Sequence, residues 1–380
     1  MVHVCLYIIV LLIVVYNPAF LMSQADTSHQ LTSTKVPLDN LKWVLEPSFT
    51  TEAQTFYITA HNGIFALFQL VYSSINSWSP SVQITARVYM PDGVKKIKSV
   101  SLAGSALELS ADKLSATCSN MTITYKADAS TVGPSYIVKL DVSPELLVEF
   151  NMDAVVEAYQ INEGKAYFDP ETPATGYVAS RIMPKGKVSG MIVVDGIMHD
   201  AAGHGVFSHA IQCPPYNVAR WNFINFQDET NALILYQFEM VPGAYPKDIV
   251  SQGVLVLNNE ITAVTIDNHS EFQGTTLDAF SNYQIPNAIK HVWHGKTRDT
   301  GVPIEIEMRL KLDRLVDKID VLSELPYLIR MFIQTFISAP FVYQWIEDTE
   351  VVVRVEGGKE IRLNGRAFHE NTFLAELEQV

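Results

Sequence analysis

Between Ile304 and Asp313 the chain alternates without a break: Ile304, Ile306, Met308, Leu310 and Leu312 are apolar, while Glu305, Glu307, Arg309, Lys311 and Asp313 are charged. Successive side chains of a strand point to opposite faces, so this stretch builds one dry wall and one wet wall. A helix would scatter the same residues around its circumference. The period of two returns at Val82, Ile84, Ala86, Val88 and Met90, which run into Pro91-Asp92-Gly93, and at Tyr136, Val138, Leu140 and Val142. Proline presets φ in that turn and glycine permits positive φ. Hairpins are expected at 254–257 through Asn258-Asn259, and at 351–355 through Gly357-Gly358 to Ile361 and Leu363. No repeated βαβ spacing occurs. The expectation is an all-β protein whose strands wall a barrel or a sandwich.

A length of 380 residues suggests two domains. Two segments look alike: Phe56-Tyr57-Ile58-Thr59, His61-Asn62-Gly63 and the aromatic run 65–72, against 221–226, 228–231 and 232–240. The second copy starts near residue 219, just after Pro214-Pro215, a natural boundary. The expected division is a segment 1–25, a polar linker 26–40, a first domain 41–216 and a second domain 219–380. One helix is expected, capped by Ser323 with Pro326 in its first turn. Tyr327, Leu328, Ile329, Met331, Phe332, Ile333, Phe336 and Ile337 leave it a narrow polar stripe of Arg330, Gln334 and Thr335. It is too short to cross a membrane. It packs across a barrel mouth, or it is a lid or membrane contact made by Tyr327, Leu328, Met331 and Phe332.

Acidic residues outnumber basic ones by 41 to 27, for a net charge of −14, which excludes nucleic acid as an expected partner and disfavours recruitment to anionic lipid by a basic patch. Membrane contact should instead be apolar. From Met1 to Ala25 the one potentially charged side chain is His3, and residues 5–16 read CLYIIVLLIVVY. That segment reads as a signal peptide, as a membrane anchor, or as a segment lying on the cytosolic face. The first two readings place the protein in the endoplasmic reticulum and secretory pathway or on a membrane. Asn120-Met121-Thr122 and Asn268-His269-Ser270 would then be glycosylation candidates. Cys118 and Cys213 could pair in an oxidising compartment, or they are two unrelated buried thiols.

No nucleophile elbow, zinc-protease helix, phosphate-binding loop or dinucleotide fingerprint occurs, so no catalytic residue and no cofactor is assigned. His199, His204 and His209 are spaced five and five, which turns successive rings to opposite sides of an extended chain. A metal site needs convergent ligands, so none is expected, and His209 reads as a buried, hydrogen-bonded strand histidine. Glu305 with Glu307 read as the wet face of their strand, and Asp317 with Asp320 as a solvated helix face, rather than as a paired acid and base. Asn222, between Trp221 and Phe223, either satisfies backbone in the core or orients the polar head of a ligand.

Several stretches resemble a known family. They are Glu52-Ala53-Gln54-Thr55-Phe56-Tyr57, Gly205-Val206-Phe207-Ser208-His209-Ala210-Ile211-Gln212, and Ala219-Arg220-Trp221-Asn222-Phe223. Further on come Val316-Asp317-Lys318-Ile319-Asp320-Val321-Leu322, Leu325-Pro326-Tyr327 and Tyr343-Gln344-Trp345-Ile346. In order and spacing, from about Leu41 to about Ala375, they resemble the fungal survival-factor family of cell-survival-pathways proteins. The resemblance implies two tandem lipocalin-like (calycin) barrels and non-vesicular transfer of a ceramide-like sphingolipid from endoplasmic reticulum to Golgi. It also implies survival under oxidative stress, and a location on the cytosolic face of those membranes, in cytoplasm and nucleus. It carries no catalytic residue. The N-terminal stretch is more hydrophobic than the amphipathic segment of that family.

The expected function is therefore non-catalytic lipid binding and transfer, with a sphingolipid or other apolar ligand and a membrane surface as partners. Phe65, Phe68, His209, Trp221, Asn222, Phe223, Trp293, Tyr343 and Trp345 are the candidate ligand-binding residues. Two alternatives stand beside it. One is an enzyme of hydratase, isomerase or cyclase type acting on a terpenoid- or polyketide-like substrate in the barrel. The other is a secreted adhesive β protein.

Overall fold

The computed structural model describes residues 33–46, 50–75, 78–127, 131–161, 164–167, 169, 171–172, 176–213, 218–240, 249–320 and 340–374. These fold into two large antiparallel sheets and a small hairpin. In the first sheet, the meander Lys95–Ala103, Trp78–Tyr89, Phe65–Ile75 and Thr50–Ala60 continues into Gly203–Cys213, Tyr177–Val194, Leu146–Ala154, Ser135–Val142 and Met121–Lys126. In the second, Glu260–Thr265, Ile249–Leu257, Ala232–Met240 and Val218–Gln227 continue into Ile361–Phe373, Phe341–Val355, Pro303–Lys311, Ala288–Lys296 and Asp267–Phe272. In both, the last long strand returns to pair with the first, Gly203–Cys213 on Thr50–Ala60 and Ile361–Phe373 on Val218–Gln227. Each sheet curls on itself as a lipocalin-like barrel. The two similar segments of the sequence are the opening hairpins of the two barrels, in equivalent places.

The alternation delivers the expected faces. Ile304, Ile306, Met308 and Leu310 are buried in the second barrel's core, and Val82, Ile84, Ala86 and Val88 in the first's. The turn at Pro91-Asp92-Gly93 has Gly93 at φ +90°, and the Asn258-Asn259 hairpin places both asparagines at positive φ, 52° and 62°. Such left-handed pairs match the twist of the flanking strands. Residues 33–35, which fall in the expected linker, form a strand paired with Tyr159–Ile161. The expected helix at 326–337, with Tyr327, Leu328, Met331 and Phe332, and the segment 1–25 lie outside the described residues. Among the described residues no helix is long and apolar enough to cross a membrane.

The barrels meet along an aromatic seam. Phe65 stacks on Phe368 at 4.6 Å between ring centres, and Tyr57 lies 4.9 Å from Phe223. Polar ties flank the rings. Asp317, expected on a solvated helix face, is instead buried on the strand Leu315–Asp320, where it pairs with both Arg87 and Lys95 of the other barrel. The Tyr89 hydroxyl donates to Gln344 Oε1 at 2.8 Å. A bulge between Met183 and Gly186 re-aims Lys185 across the seam, where its buried amine donates to the carbonyls of Asp228 and Asn231 at 2.7 and 3.2 Å. Burial holds this amine down to about 8.

Candidate ligand-binding site

Within the second barrel, strand alternation turns Asn222, Ile224 and Phe226 inward beside Ala367, His369 and Asn371 of the neighbouring strand. Gln237 stands in register with Asn222, and Tyr343 and Trp345 with Asn371 and His369. Most of this interior is apolar, but a band of polar side chains crosses it. Asn371 Nδ2 donates to Asn222 Oδ1 at 2.6 Å, and Ser270 Oγ donates to Gln237 Oε1 at 2.6 Å while meeting His291 Nδ1 at 2.7 Å. The rings of His291 and His369 lie 5.5 Å apart, His369 stacks on Trp345, and His291 lies against Trp293.

The hydrogen bonds fix the tautomers of both histidines. Ser270 has one hydroxyl proton and gives it to Gln237, so His291 Nδ1 carries its own proton and donates to the serine. A carbonyl can only accept, so His369 Nδ1 donates to Phe223 O at 3.2 Å. In each neutral ring Nε2 is then a bare lone pair, and among the described residues neither Nε2 has a hydrogen-bond partner. Burial drives both rings toward the neutral form, pushing His369 down to about 3 and His291 well below the ordinary range. Among the described residues Asn222 Nδ2, Gln237 Nε2 and Trp293 Nε1 are likewise unpartnered donors in the same interior, and Asn371 Oδ1 is an unpartnered acceptor. Buried polar atoms normally find partners, each orphan costing about 1–3 kcal/mol. Together these orphans offer both donors and acceptors to a neutral polar group that reaches the interior.

The first barrel holds a different polar group. Glu52, fully buried, accepts from the backbone amides of Val44 and Leu45 at 3.0 and 2.7 Å and meets His209 Nε2 at 2.7 Å. His209 is thus the buried, hydrogen-bonded strand histidine the sequence suggests, kept from charging chiefly by burial, with Trp43 5.7 Å away.

The candidate residues divide by strand parity. Asn222, Trp293, Tyr343 and Trp345 come together in the second barrel, the Tyr343 hydroxyl donating its one proton to Asp278 at 2.6 Å and accepting from Ser281 Oγ at 2.7 Å. Phe68 and His209 lie inside the first. Phe65 and Phe223 do not line a lumen: a spacing of three, or adjacency to Asn222, turns them outward into the seam. Trp221 is outward for the same reason, its indole donating to Glu370 at 3.0 Å. His291, His369, Asn371, Gln237 and Ser270 escaped the sequence reading. A lone polar residue on an apolar face gives no motif, and their convergence depends on register between strands far apart in the chain.

Other expectations resolve individually. His204 and His209 face opposite sides of one strand, as their spacing requires, and His204 lies edge-on to His61 of its own barrel and, across the seam, 3.3 Å from Glu229. Asn268 is buried, its amide donating to Ser251 and Thr265, so it is no glycan acceptor in the folded chain; Asn120 sits in a turn at the surface. Cys118 is a free, buried thiol directed at Met121 O. A shallow depression lined by His294, Pro303, Ile304 and Arg354 lies away from both polar groups and carries no comparable chemistry.

Comparison with known proteins gives the family and the fold. The chain is 28% identical over 373 residues to the ceramide-binding protein svf1 of Emericella nidulans, covering 95% of this chain and 96% of that one. It is 27% identical over 336 residues to the protein of the same name from Aspergillus fumigatus, covering 87% and 83%. Its fold is similar to the crystal structure of CghA with Sch210972, with a TM-score of 0.61 at 10% identity over 87% of this chain and 89% of that one. The family model for the Svf1 family matches residues 14–375, and the chain belongs to that family.

Proposed function

We propose that the chain binds a ceramide-like sphingolipid, shields it from water without acting on it chemically, and holds its head in the polar band of the second barrel. The observation that carries this is the set of orphaned atoms around His291 and His369. Ceramide offers hydroxyl and amide protons to the two bare imidazole nitrogens and Asn371 Oδ1, and a carbonyl oxygen to Asn222, Gln237 or Trp293. Its chains gain about 0.8 kcal/mol per buried CH₂ in an apolar lumen. The relatives named for ceramide binding support the choice of lipid. Binding is favoured over catalysis because a general base works best near the operating pH, and an imidazole held at about 3 is a weak base that still accepts a hydrogen bond. In this reading the cargo moves between endoplasmic reticulum and Golgi and the protein supports survival under oxidative stress. The apolar segment 5–16 would attach it to the membrane.

The test uses the purified full chain and liposomes containing fluorescent ceramide. Asn222→Leu with Asn371→Leu removes the polar pair at nearly constant volume, so stability should hold or rise. Ceramide extraction should fall at least tenfold. Extraction that survives the double variant would overturn the assignment.

A further inference from the structure

Among the described residues, the interior of the first barrel carries a buried guanidinium and that of the second does not. On the strand Tyr177–Val194, Ile182 packs in the seam and Met183 in the core, so the odd-numbered Arg181 faces the lumen. It stands in register with His209, which stands in register with Gln54, making a polar row across three adjacent strands. Arg181 is 5% exposed, and among the described residues its Nε and Nη1 have no hydrogen-bond partner. Gln54 is fully buried, and among the described residues both its amide atoms and His209 Nδ1 beside it are unpartnered. Glu52, whose field reaches Arg181, has both oxygens engaged by Val44, Leu45 and His209. Among the described residues no carboxylate forms an ion pair with Arg181.

A guanidinium cannot shed its proton, so a buried one with free N–H groups is a standing demand for an anion. The surroundings, Phe56, Phe207, Met183 and Tyr136, are apolar or aromatic. A free inorganic anion would leave that wall unused, whereas an amphiphile would satisfy both. We propose that the first barrel is a second ligand site, for an acyl chain bearing an anionic head, a carboxylate or a phosphate, held by Arg181 with Gln54. The two barrels would then differ in selectivity, the first for an anionic head and the second for a neutral one. This assignment is independent of the ceramide reading, since it rests on the other barrel.

The experiment measures direct binding of oleate, oleyl phosphate and oleyl alcohol, one chain with three heads, to the full chain. At least one anionic ligand should bind tenfold or more tightly than the alcohol; which of the two does so identifies the head. Arg181→Gln should erase that preference while ceramide extraction is retained, and the Asn222→Leu, Asn371→Leu variant should retain the preference while losing ceramide. Equal binding of all three ligands to the wild-type chain overturns the proposal without any mutant, so a poorly folding Arg181 variant leaves it testable. A preference lost in the second-barrel variant also overturns it, because the anion would then sit in the wrong barrel.

Discussion

Replacing His369 should remove a measurable part of the protein's acid sensitivity. The ring is fully buried, donates from Nδ1 to Phe223 O, and is held down to about 3 by burial, against 6.5 for a free histidine. A folded-state value below the unfolded one means that the unfolded chain takes up the proton first as pH falls. The stabilisation is therefore complete above about 6.5 and is lost progressively below it. Between pH 8 and pH 5 the unfolded state gains about 2 kcal/mol from protonating this one residue while the folded state gains almost nothing. At roughly 2–4 °C per kcal/mol this is a shift of about 4–8 °C in Tm. His369→Gln keeps a donor for the Phe223 carbonyl but does not titrate. Wild-type and variant chains should be melted at pH 8, 6.5 and 5, and the difference between their Tm values compared across pH. Carboxylates lose their contribution in both chains alike, so the difference isolates the imidazole. The wild-type Tm should fall further than the variant's by that margin. Parallel curves would refute the buried, neutral assignment and with it the bare Nε2 acceptor.

Three further outcomes follow from particular contacts. Gly253→Ala places a Cβ 2.5 Å from Trp293 Cδ1 and 2.7 Å from Thr265 Oγ1, so overpacking should cost about 1–3 kcal/mol in urea unfolding and disturb the Trp293 wall, read by its fluorescence. Phe65→Ala should cost about 3–5 kcal/mol, because its ring is buried against Phe368, and should expose the seam to limited proteolysis; a chain as resistant as wild type would count against a packed seam. Expressed in a secretory host, the chain should carry a glycan at Asn120 and none at Asn268: Asn120→Gln should abolish any deglycosidase-sensitive mobility shift, and Asn268→Gln should leave it unchanged.

Local physics made much of the fold readable. Alternation at 304–312 and 82–90 needs no partner to be recognised, and the asparagine and glycine turns specify hairpins through φ alone. The repeat of aromatic hairpins pointed to two copies of one architecture. The site was less legible. Phe65 and Phe68, or Trp221, Asn222 and Phe223, look equally suited to line a cavity by composition. The period of two splits them between lumen, seam and outer surface.

Sequence by itself determined the class of fold, the division into two similar halves, the net negative charge, and the absence of any of the catalytic spacing motifs sought. It could do so because these depend on residues near one another in the chain or on simple sums. Tertiary structure decided which barrel holds neutral orphans and which holds a buried cation. Asn222 meets Asn371 across 149 residues, and Glu52 meets His209 across 157. Strand register sets those pairs, and register is fixed only when each whole hydrophobic face is buried at once.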